Sequence, residues 1–249
     1  MIDVALTRAD LRRCDVAVVI DVLRATSVAT QALATGYERV LCTESLDQAE
    51  RLRGAGRVLA GERQCLKPPG FDQGNSPREA AIRCGEDLVL ATTNGAPAIV
   101  EAARLAPTVM LGCLLNLTAV LAELTSLDPA RCHLQLVCAG TDGAVALEDT
   151  YLAGRLSAGL AGTRTDAAHV AEAVARAFAN PRQALEQSAN ARVLVRSGMD
   201  ADIAYCAQES VLDCVPQVVS ADDGTAVIAR RAQPVSRTAW VDTAATVEA

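Results

Sequence analysis

The sequence predicts an α/β protein with three layers, α/β/α, around a largely parallel sheet. Short apolar runs typical of buried strands alternate with segments of helical spacing, which is the pattern of repeated strand–helix units. The strand-like runs lie near 16–20, 39–42, 57–60, 88–91, 108–112 and 133–138. The helical segments lie near 25–35, 46–53, 77–84, 97–104 and 116–126. Each strand is therefore expected to be covered by helices on both faces of the sheet.

The C-terminal part is predicted to be rich in helices, because helical spacing dominates from 147 to about 207. The stretch 211–219 contains Pro216 and predicts an edge strand at most, since proline cannot donate a ladder hydrogen bond. We expect one domain over 1–230, or two packed lobes over about 1–146 and 147–230, followed by a C-terminal tail over 231–249.

The composition excludes several classes of protein. A net charge of −7 without a basic run argues against nucleic-acid binding, and only 2% of the residues are aromatic and available for base stacking. The 9 cysteines are odd in number and form no CxxC pair, so we expect reduced thiols and a cytoplasmic location. The sequence shows neither a signal-peptide core nor an apolar run near the ~20 residues of a membrane span, so no membrane partner is expected.

The first strand–helix unit, residues 16–31, contains the most informative turn. The apolar run ends at Ile20, Asp21 and Arg24 follow in the turn, and the hydroxyl of Thr26 lies where the helix begins. Ligands of open α/β sheets bind outside the carboxyl ends of the strands, and the unpaired N–H groups of a helix start favour anions. This turn is therefore a candidate anion site.

Further polar motifs follow the other strands. They are Gly61-Glu62-Arg63, Gly70-Phe71-Asp72 with Gly74-Asn75-Ser76-Pro77, Thr92-Thr93-Asn94-Gly95, Gly112 to Asn116, and Cys138-Ala139-Gly140. Arg63 could hold a phosphate and Glu62 a metal, although for this motif alone a surface ion pair is the stronger explanation. The Thr-Asn-Gly loop could bind an anion, whereas Asn75 or Ser76 also suits a simple helix cap. Parallel strand ends converge in space, so these motifs together could build one site.

The adjacent acids Glu148 and Asp149 form a second kind of motif. Neighbouring carboxylates repel each other unless a cation or a proton lies between them. Mg²⁺ would satisfy the pair, with Asp21 and Glu62 as additional ligands, while stabilisation of a helix N-terminus is the alternative explanation. The chain contains no Walker, dinucleotide-binding or nucleophile-elbow motif.

Taken in order, these motifs resemble the 2-phosphosulfolactate phosphatase (ComB-like) family. The residues that carry the resemblance are Ile20-Asp21-Val22-Leu23-Arg24-Ala25-Thr26, Gly61-Glu62-Arg63, Gly70-Phe71-Asp72, Gly74-Asn75-Ser76-Pro77, Thr93-Asn94-Gly95, Asn116, Cys138-Ala139-Gly140 and Glu148-Asp149, with a weaker match at Asp202-Ile203. The resemblance implies an α/β/α fold and Mg²⁺-dependent hydrolysis of a phosphate monoester. The substrate it implies is (2R)-2-phospho-3-sulfolactate, on a route to coenzyme M. Ala96 departs from the family pattern, in which threonine is usual at that position.

The residues and the resemblance together predict roles for individual positions. The expected catalytic residues are Asp21, Arg24, Glu62 and Arg63. The expected substrate-binding residues are Thr26, Asn75, Ser76, Thr93, Asn94, Gly95, Asn116 and Gly140. The expected metal ligands are Asp21, Glu62, Glu148 and Asp149. The partner is then a small anionic phosphate ester, and the aliphatic composition leaves room for a homodimer.

Several alternatives stay open at the level of sequence. The nucleophile is either a metal-bound water or Asp21, and Leu23 stands where haloacid-dehalogenase phosphatases carry their second aspartate. The substrate is phosphosulfolactate or another phosphorylated hydroxy acid. A non-catalytic anion-binding protein would keep the glycines of the site but show no turnover. Replacing Arg24 with alanine is expected to impair kinetics and leave the fold intact.

Overall fold

The structure is a computed structural model that describes residues 1–127, 132–222 and 224–230. Its strands are β1 (Ile2–Ala5), β2 (Val16–Ile20), β3 (Arg39–Thr43), β4 (Arg57–Gly61), β5 (Asp87–Ala91), β6 (Thr108–Gly112), β7 (Leu134–Cys138), β8 (Pro216–Asp222) and β9 (Thr225–Arg230). Its α-helices are α1 (Ala25–Thr35), α2 (Leu46–Arg51), α3 (Pro77–Ala80), α4 (Gly95–Leu105), α5 (Leu117–Ser126), α6 (Leu147–Ala158), α7 (Asp166–Arg176), α8 (Pro181–Glu186), α9 (Ala189–Arg196) and α10 (Asp200–Cys206). The predicted alternation and the helical C-terminal part are both confirmed.

The described strands form one sheet in the order β1-β7-β2-β6-β8-β9-β3-β5-β4. The strands β1, β7, β2 and β6 pair in parallel, as do β3, β5 and β4. The antiparallel hairpin β8–β9 joins these two parallel sets. The predicted largely parallel sheet is therefore confirmed, with an antiparallel insertion at its centre.

Strand β2 illustrates why the fold has three layers. Its five residues are all buried, and successive side chains of a strand point to opposite faces. Ala17 and Val19 pack into the core formed with α1 and α4, whereas Val18 and Ile20 pack into the core formed with α5, α6 and α7. A strand that is apolar at every position requires cover on both faces, which the helices provide.

The C-terminal strands differ from the prediction. The predicted edge strand is wrong, because β8 lies inside the sheet between β6 and β9. Pro216 is tolerated there since it is the first residue of the strand, opposite Arg230. Strand β9, which like β1 was not predicted, pairs with the whole of β3 through its residues Thr225 to Ala229. The predicted tail over 231–249 lies outside the described residues, and the choice between one domain and two lobes stays a prediction.

Candidate active site

A cavity of about 370 Å³ opens where the loops after β2, β4, β5 and β7 meet. Its volume suits a small ligand. Eight of the residues predicted for the site line it, namely Asp21, Arg24, Glu62, Arg63, Asn75, Thr93, Asn94 and Gly140. Loops from both parallel strand sets contribute to this lining. The convergence of separate polar motifs that the sequence suggested therefore occurs at one place.

Asp21 lies directly after β2, at the start of α1. Its Oδ1 accepts a hydrogen bond of 3.2 Å from the Ala25 N–H. A side chain at Gly95 would collide with the Asp21 carboxylate, so the glycine of the Thr-Asn-Gly motif keeps that space open. Burial raises the pKa of Asp21 to about 7, and the nearby carboxylates of Glu148 and Glu62 add to this effect. The group is therefore an acid that can change its protonation near neutral pH.

Arg24 follows in the same turn and is held by the C-terminal helices. Its Nη1 lies 2.7 Å from Asp202 Oδ2 and 3.0 Å from the sulfur of Met199. Its Nη2 donates to the Cys65 carbonyl at 3.4 Å. Within the described part of the chain, its Nε and the second hydrogen of Nη2 have no hydrogen-bond acceptor. These two N–H groups belong to a cavity-lining side chain and are available to an anionic ligand.

Glu62 connects the loops that follow β4 and β5. Its Oε1 accepts hydrogen bonds from the Thr93 N–H at 2.9 Å and the Thr93 hydroxyl at 2.8 Å. Its Oε2 accepts one of 3.1 Å from the Cys65 N–H. The neighbouring Arg63 donates to the Glu62 carbonyl at 2.7 Å and lines the cavity. Glu62 thus shapes the wall from which Arg63 and Thr93 face a ligand.

Asp149 connects the turns after β2 and β7. Its Oδ1 accepts from the Val22 N–H at 2.9 Å, and its Oδ2 accepts from the Gly140 N–H at 3.2 Å. The neighbouring Glu148 is fully buried and accepts from Asn190 Nδ2 at 2.6 Å. Burial raises the pKa of both carboxyls, and repulsion between them raises that of Asp149 further. A cation near these groups would relieve the repulsion.

The predicted cation site has few donors close together among the described residues. In residues 1–127, 132–222 and 224–230, no three His, Cys, Asp or Glu side chains form a group that could hold a metal ion. The four predicted ligands therefore do not form one set, and both oxygens of Glu62 and of Asp149 already accept hydrogen bonds from N–H or hydroxyl donors. Among the residues predicted for the site, Glu148 Oε2 and Asn75 Oδ1 are buried oxygens without a hydrogen-bond partner in the described part of the chain.

Two predicted substrate-binding residues point away from the cavity. Thr26 is fully buried, and its hydroxyl lies 2.8 Å from the carbonyls of Asp21 and Gly112. Asn116 is also fully buried and donates to the Leu111 and Cys214 carbonyls. Thr26 joins the turn after β2 to the end of β6, and Asn116 joins β6 to the segment before β8. Their roles in the structure are positional.

Ser76 and Gly95 also lie outside the residues that line the cavity. The Ser76 hydroxyl donates to Asp202, the partner of Arg24, and Gly95 leaves room for Asp21. Asn190 of α9 was missed by the sequence prediction, although it lines the cavity and donates to both Thr141 and Glu148. An asparagine inside a helix carries no sequence signal for such a role.

Comparison with known proteins identifies the family. The family model described as 2-phosphosulpholactate phosphatase matches residues 3–221. The chain belongs to the 2-phosphosulfolactate phosphatase family. The resemblance seen in the ordered motifs is therefore confirmed, and it extends beyond them to the C-terminal helices and to β8.

Relatives in this family cover nearly the whole chain. A probable 2-phosphosulfolactate phosphatase of Thermus thermophilus is 42% identical over 224 residues, or 88% of this chain and 93% of the relative. One of Deinococcus radiodurans is 39% identical over 217 residues, covering 84% and 90% of the two chains. One of Thermotoga petrophila is 36% identical over 224 residues, covering 88% and 96%.

Proposed function

We propose that this 2-phosphosulfolactate phosphatase family member hydrolyses a phosphate monoester, (2R)-2-phospho-3-sulfolactate, to 3-sulfolactate and phosphate. The observation that carries the proposal is the single cavity in which Arg24 and Arg63 face the buried acid Asp21. The names of the curated relatives support the same substrate. The ester carries phosphate, sulfonate and carboxylate groups, so a site for it needs cations and N–H donors in a small volume.

The chain's own donors suit such an anion. Arg24 keeps two N–H groups free for a ligand, and Arg63 adds a second guanidinium at the cavity wall. Guanidinium groups bind phosphate and sulfonate oxygens with two parallel hydrogen bonds. The amide of Asn75 also lines the cavity. We propose that Arg24 and Arg63 hold the charged oxygens and that Asn75 contributes to their orientation.

We also propose that Mg²⁺ takes part, held by Asp21 and Glu148. Mg²⁺ commonly binds one or two carboxylates together with waters and substrate phosphate, so it needs no larger protein ligand set. Glu148 Oε2 is buried without a hydrogen-bond partner among the described residues, and its carboxylate adds to the effect of burial that raises the pKa of Asp21. When bound, the ion would neutralise part of the negative charge of the phosphate group. We propose water as the nucleophile, since Leu23 replaces the second aspartate of the aspartyl-phosphate enzymes.

The first prediction concerns phosphate release. The purified protein is expected to release phosphate from phosphosulfolactate, to lose this activity in EDTA and to regain it with excess Mg²⁺. The assay should include 2-phospholactate and other phosphorylated hydroxy acids as competing substrates. Efficient turnover of another ester alone would replace the proposed substrate, and binding of esters without any turnover would favour a non-catalytic anion-binding protein.

The second prediction concerns stability and pH. The pKa of Asp21 is about 7 in the folded protein and 3.8 as its ordinary value. Between these values the folded state binds more protons than the unfolded state, so the free energy of unfolding falls as the pH rises. The melting temperature of the metal-free protein is therefore expected to fall by several degrees from pH 5.5 to pH 8. Mg²⁺ should raise it more at pH 8 than at pH 5.5.

The matched control for this measurement is Asp21→Asn, which cannot titrate at that position. Its melting temperature should depend less on pH, and Mg²⁺ should stabilise it less. An equal effect of Mg²⁺ on both proteins at both pH values would contradict the proposed site. Calorimetric or fluorescence melting gives these values without an activity assay.

The remaining predictions concern the location of the protein, its partners and its pathway. No helix in the described part of the chain is both long and apolar enough to cross a membrane. A cytoplasmic location, a homodimer, the absence of nucleic-acid binding and a role on a route to coenzyme M stay predictions.

A further inference from the structure

The ion pair between Arg24 and Asp202 lies at the junction of the cavity and the C-terminal helices. The side chains are only 2% and 3% exposed, and Nη1 and Oδ2 are 2.7 Å apart. Asp202 belongs to α10, whereas Arg24 belongs to the turn after β2. The pair therefore links two parts of the chain that are 178 residues apart.

The second carboxylate oxygen of Asp202, Oδ1, also has a hydrogen-bond partner. The Ser76 hydroxyl donates to Asp202 Oδ1 at 2.7 Å, from the residue that precedes α3. Both carboxylate oxygens thus have a fixed, buried partner, and the carboxylate has little freedom to rotate. Ser76, Asp202 and Arg24 form a chain of charge-assisted hydrogen bonds that ends at the cavity.

The hydrogen bonds of Arg24 determine which of its N–H groups remain for a ligand. Asp202 and Met199 occupy the hydrogens of Nη1, and Cys65 occupies one of Nη2. The N–H groups that remain are those of Nε and the second of Nη2. Nε and Nη2 share one edge of the planar guanidinium, so this edge is the one left for the oxygens of a phosphate or sulfonate group.

We propose that Asp202 is a positioning residue that orients Arg24 for the anionic substrate, and that Ser76 anchors Asp202. The proposal rests on the proposed function, because it takes Arg24 as a substrate-binding group. It also gives Ser76 a different role from the direct substrate contact that the sequence predicted. A buried ion pair that only stabilised the fold would not affect the affinity of the folded protein for anions.

The test replaces Asp202 with asparagine, which keeps the shape and removes the charge. Asp202→Asn should raise KM, and the Kd for inorganic phosphate, by roughly 10- to 100-fold, the loss expected for a charge-assisted hydrogen bond. Ser76→Ala should shift both constants in the same direction by a smaller factor. Asp200→Asn is the matched control, because Asp200 lies in the same first turn of α10 but is exposed. It should leave both constants unchanged.

A double-mutant cycle separates positioning from a general effect. Arg24→Lys keeps a cation beside Asp202 but removes the planar fork, so Asp202→Asn should have little further effect on phosphate binding in that background. Thermal melting of every variant confirms that the folded protein is measured. Additive effects in the cycle, or equal constants for Asp202→Asn and Asp200→Asn, would overturn the proposal.

Calorimetric titration with inorganic phosphate keeps this test independent of the substrate. If the wild-type protein binds phosphate but does not turn over phosphosulfolactate, the proposed function fails and the cycle still tests Asp202. If the wild type turns over phosphosulfolactate and Asp202→Asn has unchanged KM and Kd, the positioning proposal alone fails.

Discussion

Asp21→Asn is expected to lower kcat for phosphate release by at least about 10²-fold and to raise the melting temperature of the metal-free protein at pH 8. Asp21 lines the cavity directly after β2 and is proposed to hold the ion that neutralises the phosphate charge, a contribution of several kcal/mol. The same carboxylate is buried beside Glu148 and Glu62, which raises its pKa to about 7. Above that pH its charge destabilises the fold, so a neutral amide of equal size is favourable there.

A lower kcat together with a higher melting temperature would show that the Asp21 carboxylate serves activity and not stability. Asp47→Asn is the matched control, since Asp47 is exposed in the first turn of α2 and is not among the residues that line the cavity. It should leave kcat and the melting temperature nearly unchanged. A loss of stability in Asp21→Asn together with the loss of activity would indicate a structural role and contradict the assignment.

Arg24→Ala is expected to reduce kcat/KM by roughly 10²-fold or more, because the cavity loses a guanidinium aimed at the substrate. It is also expected to destabilise the protein by about 3–5 kcal/mol, since removing one partner leaves Asp202 buried without its counter-ion. The sequence-based expectation that the fold would be unaffected therefore changes. Chemical denaturation and steady-state kinetics on the same preparations measure both effects.

The double variant Arg24→Ala with Asp202→Ala separates these two effects. Removing both charges should recover much of the lost stability, because no unpaired buried charge remains. It should not recover activity, since the substrate still lacks the Arg24 guanidinium. Recovery of activity along with stability would mean that Arg24 contributes only to folding.

Most of the fold could be predicted because its signals are local. Apart from β1, the strands of the parallel sets are short apolar runs, and the helices between them repeat with the correct spacing, so alternation indicates the layers. The sheet order could not be predicted in the same way. Strand β9 and the place of β8 at the centre of the sheet depend on pairings with β3 and β6, more than a hundred residues away.

The candidate site was predictable where a polar residue follows a strand. Asp21 and Glu62 are examples, because the end of a strand fixes where the next residue lies. Side-chain direction was not predictable, and Thr26 turned out to bond inward to the sheet instead of facing the cavity. The sequence indicated Asp202 only through a weak match to the family motifs, because its role depends on a contact with Arg24, 178 residues away.

The most direct test of the central claim is the steady-state rate of phosphate release from phosphosulfolactate in the presence of Mg²⁺. The wild-type protein and Asp21→Asn should be purified identically and assayed side by side, so that a contaminating phosphatase would appear equally in both. We predict turnover by the wild type and at least about a 10²-fold lower kcat for the variant. Equal rates for the two proteins, or no release by a folded wild type, would contradict the assignment of this activity to the cavity around Asp21.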